Sequence, residues 1–97
     1  MTLVPLTFYE IAVSDDYRLW QTRFNKNDNL NLDNLNEWQN IQLIIRKELS
    51  KFVHDEKSIQ IGYISGKTIV INILLTIEEA PFFEFANAAN SIILHID

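Results

Sequence analysis

His54, Asp55 and Glu56 stand side by side, the densest set of chemically versatile side chains in the sequence. An imidazole beside two carboxylates is raw material for a metal site or a general base. Adjacent residues do not easily converge on one ion, however, and no second histidine falls at helical or hairpin spacing from His54. The plainer reading is the solvated end of a helix, with His54 near its carbonyl terminus. His95, the other histidine, has no evident partner to position it for proton transfer.

Glu78, Glu79 and Glu84 surround the aromatic run Pro81-Phe82-Phe83-Glu84-Phe85. Paired carboxylates can cleave glycosidic bonds when a cleft holds them at a set separation, but so small a chain rarely builds such a cleft from neighbouring loop acids. Acids there also suit a helix start. Phe82, Phe83 and Phe85 cannot all point inward from one short helix, so at least one ring is expected at the surface beside acids. An apolar anchor rimmed by charge is a common form of protein-binding site. Phe83 is the expected anchor.

Asp15, Asp16, Asp28 and Asp33 add acidity to the first third of the chain. Together with Glu78, Glu79 and Glu84 they could form one negative face, against the plainer reading of scattered surface charge. The bases Arg46, Lys47, Lys51 and Lys57 are offset by Glu48, Asp55 and Glu56, a weak case for phosphate binding. Trp20 and Trp38 fall on apolar positions and read as core. There is no cysteine, which excludes thiol nucleophiles and thiolate metal sites. The only glycines, Gly62 and Gly66, cannot make a phosphate loop, and no nucleophile-elbow serine or paired-histidine metal motif is present. No cofactor is expected.

The elements that must position these residues follow from periodicity. The 97 residues suit one domain, and 47% apolar content supplies one core. From Asp33 onward, Leu35, Trp38, Ile41, Ile45, Leu49 and Phe52 recur at steps of three and four, which predicts a helix over 33–53 capped by Asp33, with Leu43 and Ile44 broadening its apolar face. Ile59, Ile61 and Tyr63, then Ile69, Ile71, Ile73, Leu75 and Ile77, alternate with other residues and predict a β-hairpin with its long strand at 67–77, odd-numbered side chains inward. A three-residue loop, Ile64-Ser65-Gly66, puts both isoleucine rows on one face by pairing Ile61 with Ile69 and Ile59 with Ile71; Gly66 then takes the left-handed position.

Two readings fit the N-terminal region. Thr7-Phe8-Tyr9-Glu10 fits a capping box that opens a helix over 8–24. Alternatively, 6–13 is a strand and Ser14-Asp15-Asp16 starts a helix over 15–24. A helix over 15–24 is common to both. Asn25–Leu32 reads as a loop. Pro81 opens a C-terminal helix with Phe82, Phe85, Ala86 and Ala89 as its stripe, and Ser91–Ile96 ends as a strand. The fold expected is a single α+β domain over 1–97, two or three helices on a largely antiparallel sheet of three to four strands.

Net charge is −5, from 13 acids and 8 bases. That opposes duplex nucleic acid and suits a basic protein. The N-terminal run has no basic segment and is broken by Glu10, so it is a poor secretory signal, and the longest apolar stretch is about half a membrane span. No membrane partner is expected, and the cytoplasm is the expected compartment. The leading expectation for function is a protein-binding module without catalysis, most concretely a small acidic inhibitor, of the immunity-protein or antitoxin kind, covering a basic toxin or nuclease. Asp15, Asp16, Glu78, Glu79 and Glu84 would hold its cations and Phe83 would anchor it. The alternatives are a homo-oligomeric structural or adaptor subunit, joined through the second face of the long strand or the edge of Ser91–Ile96, and a small enzyme using His54 or His95.

Overall fold

The computed structural model describes residues 2–25 and 31–96. Asp28 and most of the expected loop at Asn25–Leu32 lie outside the described residues.

Among the described residues, six strands and two helices follow in the order β1 (Thr2–Pro5), β2 (Tyr9–Val13), β3 (Tyr17–Asn25), α1 (Leu35–Leu49), β4 (Ile59–Ile64), β5 (Thr68–Thr76), α2 (Ala80–Ala88) and β6 (Ile93–Ile96), with a 3-10 turn at Glu56–Ser58. A four-stranded sheet runs β2-β3-β5-β4 and a separate two-stranded ribbon pairs β1 with β6; every pairing is antiparallel. The α+β arrangement thus holds, with two sheets.

The isoleucine ladder of β5 builds the core. Ile69, Ile71, Ile73 and Leu75 are fully buried, and each stabilises the fold by on the order of 2 kcal/mol. Ile59 and Ile61 of β4 share that face, as the alternation requires, but pair with Ile73 and Ile71, two residues beyond the expected register. The turn explains the shift. Ser65 and Gly66 both have positive φ (54° and 67°), and the Lys67 N–H donates to the Ile64 carbonyl at 3.1 Å. The tight turn therefore centres on Ser65-Gly66, and Lys67 is the extra residue before Ile64 meets Thr68. Gly66 is left-handed as expected; Ser65 joins it because its short polar side chain tolerates that region at modest cost.

α1 forms where its apolar stripe lies, with Ile41, Ile45 and Leu49 buried and Trp38, Ile44 and Phe52 half-buried. Its cap is Asn34 rather than Asp33: the Asn34 Oδ1 accepts from the N–H groups of Asn36 (3.0 Å) and Glu37 (3.3 Å). Asp33 is one residue too early, in a turn where its N–H donates to Asn31 Oδ1. Leu43 does not broaden the buried face; it is exposed.

The expected helix over 15–24 is a turn followed by a strand; of the two readings of 6–13, the strand holds, over Tyr9–Val13, and the capping box does not form. Asp15 and Asp16 form a hairpin turn, closed by the Ser14 N–H donating to the Tyr17 carbonyl (3.0 Å) and the Tyr17 N–H to Ser14 Oγ (3.1 Å). β3 then runs along the whole of β5. Its inward row is Trp20, Thr22 and half-buried Phe24, spaced by two. Thr22 is tolerated in the core because its hydroxyl donates to the Thr7 carbonyl at 2.8 Å.

α2 turns a different face inward from the one expected. Ala80, Phe83 and Ala86 are buried, whereas Phe82 and Phe85 are exposed. Phe83 meets the edges of Phe8 and Trp20 at ring-centroid distances of 5.2 and 5.6 Å. The side chain of Asn87 brackets the Phe8 backbone: the Phe8 N–H donates to Oδ1 (2.8 Å) and Nδ2 donates to the Phe8 carbonyl (2.9 Å). Left-handed Asn90 ends the helix; its N–H reaches the Asn87 carbonyl and the Ser91 N–H the Ala86 carbonyl, a Schellman closure. No helix among the described residues is long and apolar enough to cross a membrane.

Candidate functional site

Pairing of β3 with β5 brings the acids of two distant segments to one end of the sheet. Tyr17 opposes Thr76, and the Ile77 N–H donates to the Asp16 carbonyl at 3.1 Å. The Asp15-Asp16 turn therefore sits against the segment that carries Glu78 and Glu79. Asp15, Asp16 and Glu78 are exposed. Glu79 is half-buried and turned back on its own segment: its Oε1 accepts from Thr76 Oγ1 (3.0 Å), and its N–H donates to the same hydroxyl (3.3 Å). Glu84 is exposed on α2, one turn before Asn87 on the same side of the helix.

Phe83, the expected anchor, is in the core with 0% exposure. The position that combines Phe8 and Trp20 as neighbours captures the most ring contact, and that position is 83. The rings left outside are Phe82 and Phe85, 61% and 75% exposed. Phe82 leans on half-buried Phe52, with ring centroids 6.1 Å apart.

Next to the acidic turn, the outer face of the sheet holds an apolar recess. Ala12, Val13, Ser14, Tyr17, Leu19 and Leu74 line it around a volume of about 260 Å³. It exists because both helices and the β1–β6 ribbon serve the other face, where the β5 ladder is buried, and among the described residues no element covers Leu74, which is 44% exposed. A second recess, sharing Leu19 and Leu74, continues the groove past Asn72 and Gln60 toward Lys57. Gln21 Nε2 donates to Asn72 Oδ1 at 2.9 Å in the middle of this face.

This recess was not among the sites read from sequence. Leu74 on the second face of the long strand was the legible part of it; Tyr17 and Leu19, which flank Leu74 across β3, were obscured by helix-compatible spacing. Exposed phenylalanines beside an acid are present as expected, but they are Phe82 and Phe85 around Glu84 rather than Phe83, and the apolar recess next to the Asp15-Asp16 turn is a separate feature.

The His54-Asp55-Glu56 cluster lies beyond α1, which ends at Leu49 rather than near residue 53; His54 is exposed, and Asp55 and Glu56 serve the 3-10 turn that follows. Asp55 Oδ1 accepts from the Lys57 N–H (2.9 Å), and Arg46 Nη1 donates to the carbonyls of Glu56 (3.0 Å) and Ile59 (3.1 Å). His95 lines a shallow hollow with Ile44, Lys47, Glu48 and Lys51. Among the described residues, no group of three or more His, Asp or Glu side chains is arranged to hold a metal ion. In comparisons with known proteins, no family model, no curated protein and no solved structure matches this chain.

Proposed function

We propose that the chain is a non-catalytic protein-binding module that takes a basic partner protein at the acidic end of its larger sheet. The observation that carries this reading is the apolar recess bounded by Ala12, Tyr17, Leu19 and Leu74 beside the exposed carboxylates of Asp15, Asp16 and Glu78. An apolar side chain of the partner fills the recess and loses its contact with water. Lysines or arginines around it meet the acids at the rim, where they steer encounter more than they add affinity. Net charge of −5 extends the attraction beyond contact distance. In its most concrete form the module is an inhibitor, of the immunity-protein or antitoxin kind, covering the cationic substrate site of a toxin or nuclease.

The test uses a cationic nuclease domain from the same genome as partner, with binding followed by surface plasmon resonance at several salt concentrations. Asp15→Asn, Asp16→Asn and Glu78→Gln together are expected to slow association about tenfold at low salt and flatten its salt dependence. Leu74→Asp is expected to speed dissociation. Binding that ignores both sets of changes would end this proposal.

A second reading, a homo-oligomer subunit, draws on the same uncovered outer face, since two copies could cover each other's Leu19 and Leu74. Sedimentation at micromolar concentration separates the two: a monomer speaks against it.

A further inference from the structure

We infer that the basic partner is held as an added strand: an extended segment, alternately apolar and basic, pairs with the free edge of β2. This rests on the proposed function and names the form in which the partner binds.

β2 is one edge of the four-stranded sheet, and all five of its residues, Tyr9 to Val13, are exposed. Such edges are normally blunted by charged side chains, by proline, by a β-bulge or by cover from another element, because their unpaired backbone groups accept other strands; β2 has one charge, Glu10, and one bulge, both before Val13. β2 has no lysine or proline; Tyr9, Ile11 and Val13 are 68%, 50% and 60% exposed. Its single irregularity is the register shift between Glu10 and Ala12.

The direction of its free backbone groups follows from the turn. The Ser14 N–H donates to the Tyr17 carbonyl, which puts Ser14 and Tyr17 at a hydrogen-bonding position of the ladder. Antiparallel ladders alternate, so the next pair, Val13 with Arg18, is not hydrogen-bonded within the hairpin. The Val13 N–H and C=O therefore point off the sheet, toward any incoming strand.

Charge specifies what comes in. Glu10 lies on β2, and Asp15 and Asp16 lie at its C-terminal turn. Glu84 lies on the helix whose Asn87 holds the residue before β2. The nearby cation, Arg18, is occupied with the carbonyls of Ser14 and Tyr17. An added strand with lysine or arginine at alternate positions presents its cations to Glu10 on the inner face, and its apolar positions fall beside Tyr9 and Ala12, which the register shift places together on the outer face. Main-chain bonds supply affinity and alternate side chains supply choice, as in other cases of strand addition.

The probe is an acetylated, amidated peptide of four Val-Lys repeats, labelled for fluorescence anisotropy and titrated at low salt with the whole chain. Three comparisons decide the result. N-methylation of alternate peptide residues removes donors without touching charge. Val13→Pro removes the outward N–H of β2 and leaves the β3 pairing intact, since edge strands accept proline where the N–H faces solvent. Val13→Ala keeps the N–H and removes the side chain; thermal melts of both variants check the fold. Val13→Pro and N-methylation are each expected to weaken binding by about tenfold, the value of one good hydrogen bond, and Val13→Ala by under about threefold. Unchanged binding by Val13→Pro, or no binding by wild type, overturns the inference. So does a wild-type dimer that Val13→Pro converts to monomer, because the edge then belongs to a second copy. If Asp15→Asn with Asp16→Asn weakens binding while Val13→Pro does not, the acidic site stands and only the added strand falls.

Discussion

Truncating Asn87 to alanine separates the first part of the chain from the last helix at a single point. The amide makes two bonds to the backbone of Phe8, at 2.8 and 2.9 Å, across 79 positions of sequence. Phe8 itself is 2% exposed, so little water can take over. Each bond contributes about 1 kcal/mol net, and leaving a buried N–H or C=O without a partner adds a penalty of about 1 kcal/mol or more. The site is part-buried rather than sealed, so we expect a loss of about 2–3 kcal/mol, a large share of the roughly 5–15 kcal/mol that holds a typical domain. For a chain of this size the melting temperature should fall by about 10–20 °C. Urea unfolding followed by tryptophan fluorescence gives the number directly, because Trp20 lies against Phe83, which touches Phe8. Asn87→Asp keeps an acceptor for the Phe8 N–H but sets a second oxygen against its carbonyl, and should fall between wild type and alanine. Asn40→Ala, on the exposed side of α1, controls for loss of an amide as such. A loss below about 0.5 kcal/mol for Asn87→Ala, the range of ordinary surface changes, would refute the clamp.

Three further outcomes are expected. Phe83→Ala should cost about 3–5 kcal/mol in urea unfolding, by emptying the space between Phe8 and Trp20. Phe85→Ser, at 75% exposure, should change stability by under about 0.5 kcal/mol in the same assay. Asn34→Ala should cost about 1 kcal/mol through loss of the α1 cap, while Asp33→Ala should cost less; equal losses would contradict the assignment of the cap.

What could be read from the residues depended on whether one period alone fitted them. Ile69, Ile71, Ile73 and Leu75 recur at every second position, a row no helix accommodates, so strand and inward face were legible over Thr68–Thr76; Ile77, expected in the same row, lies past the strand's end and is exposed. α1 was legible for the same reason at period 3.6. β3 was not, because Tyr17, Trp20 and Phe24 match a helical stripe while the strand row of Trp20, Thr22 and Phe24 contains a polar member. Only the Thr7 carbonyl, brought in by tertiary structure, makes Thr22 a core residue. The face of α2 was undetermined for a related reason. Phe82, Phe83 and Phe85 are equally apolar, and the choice among them was made by Phe8, far away in sequence. The acids chosen from sequence do gather at one end, apart from Glu84, but through a β3–β5 pairing that the helix reading could not supply. The recess beside them needed that pairing as well.

The β1–β6 ribbon bears on how the chain is made. β2 with β3, and β4 with β5, are neighbours that close short loops, whereas β1 can pair only with Ile93–Ile96. The entropy of closing a loop grows with its length, and synthesis proceeds from the N-terminal end. On the ribosome, Val4 and Leu6 must therefore wait without their partners until Leu94 and Ile92 have left the exit tunnel. Through that interval, both are open to whatever chaperone stands there.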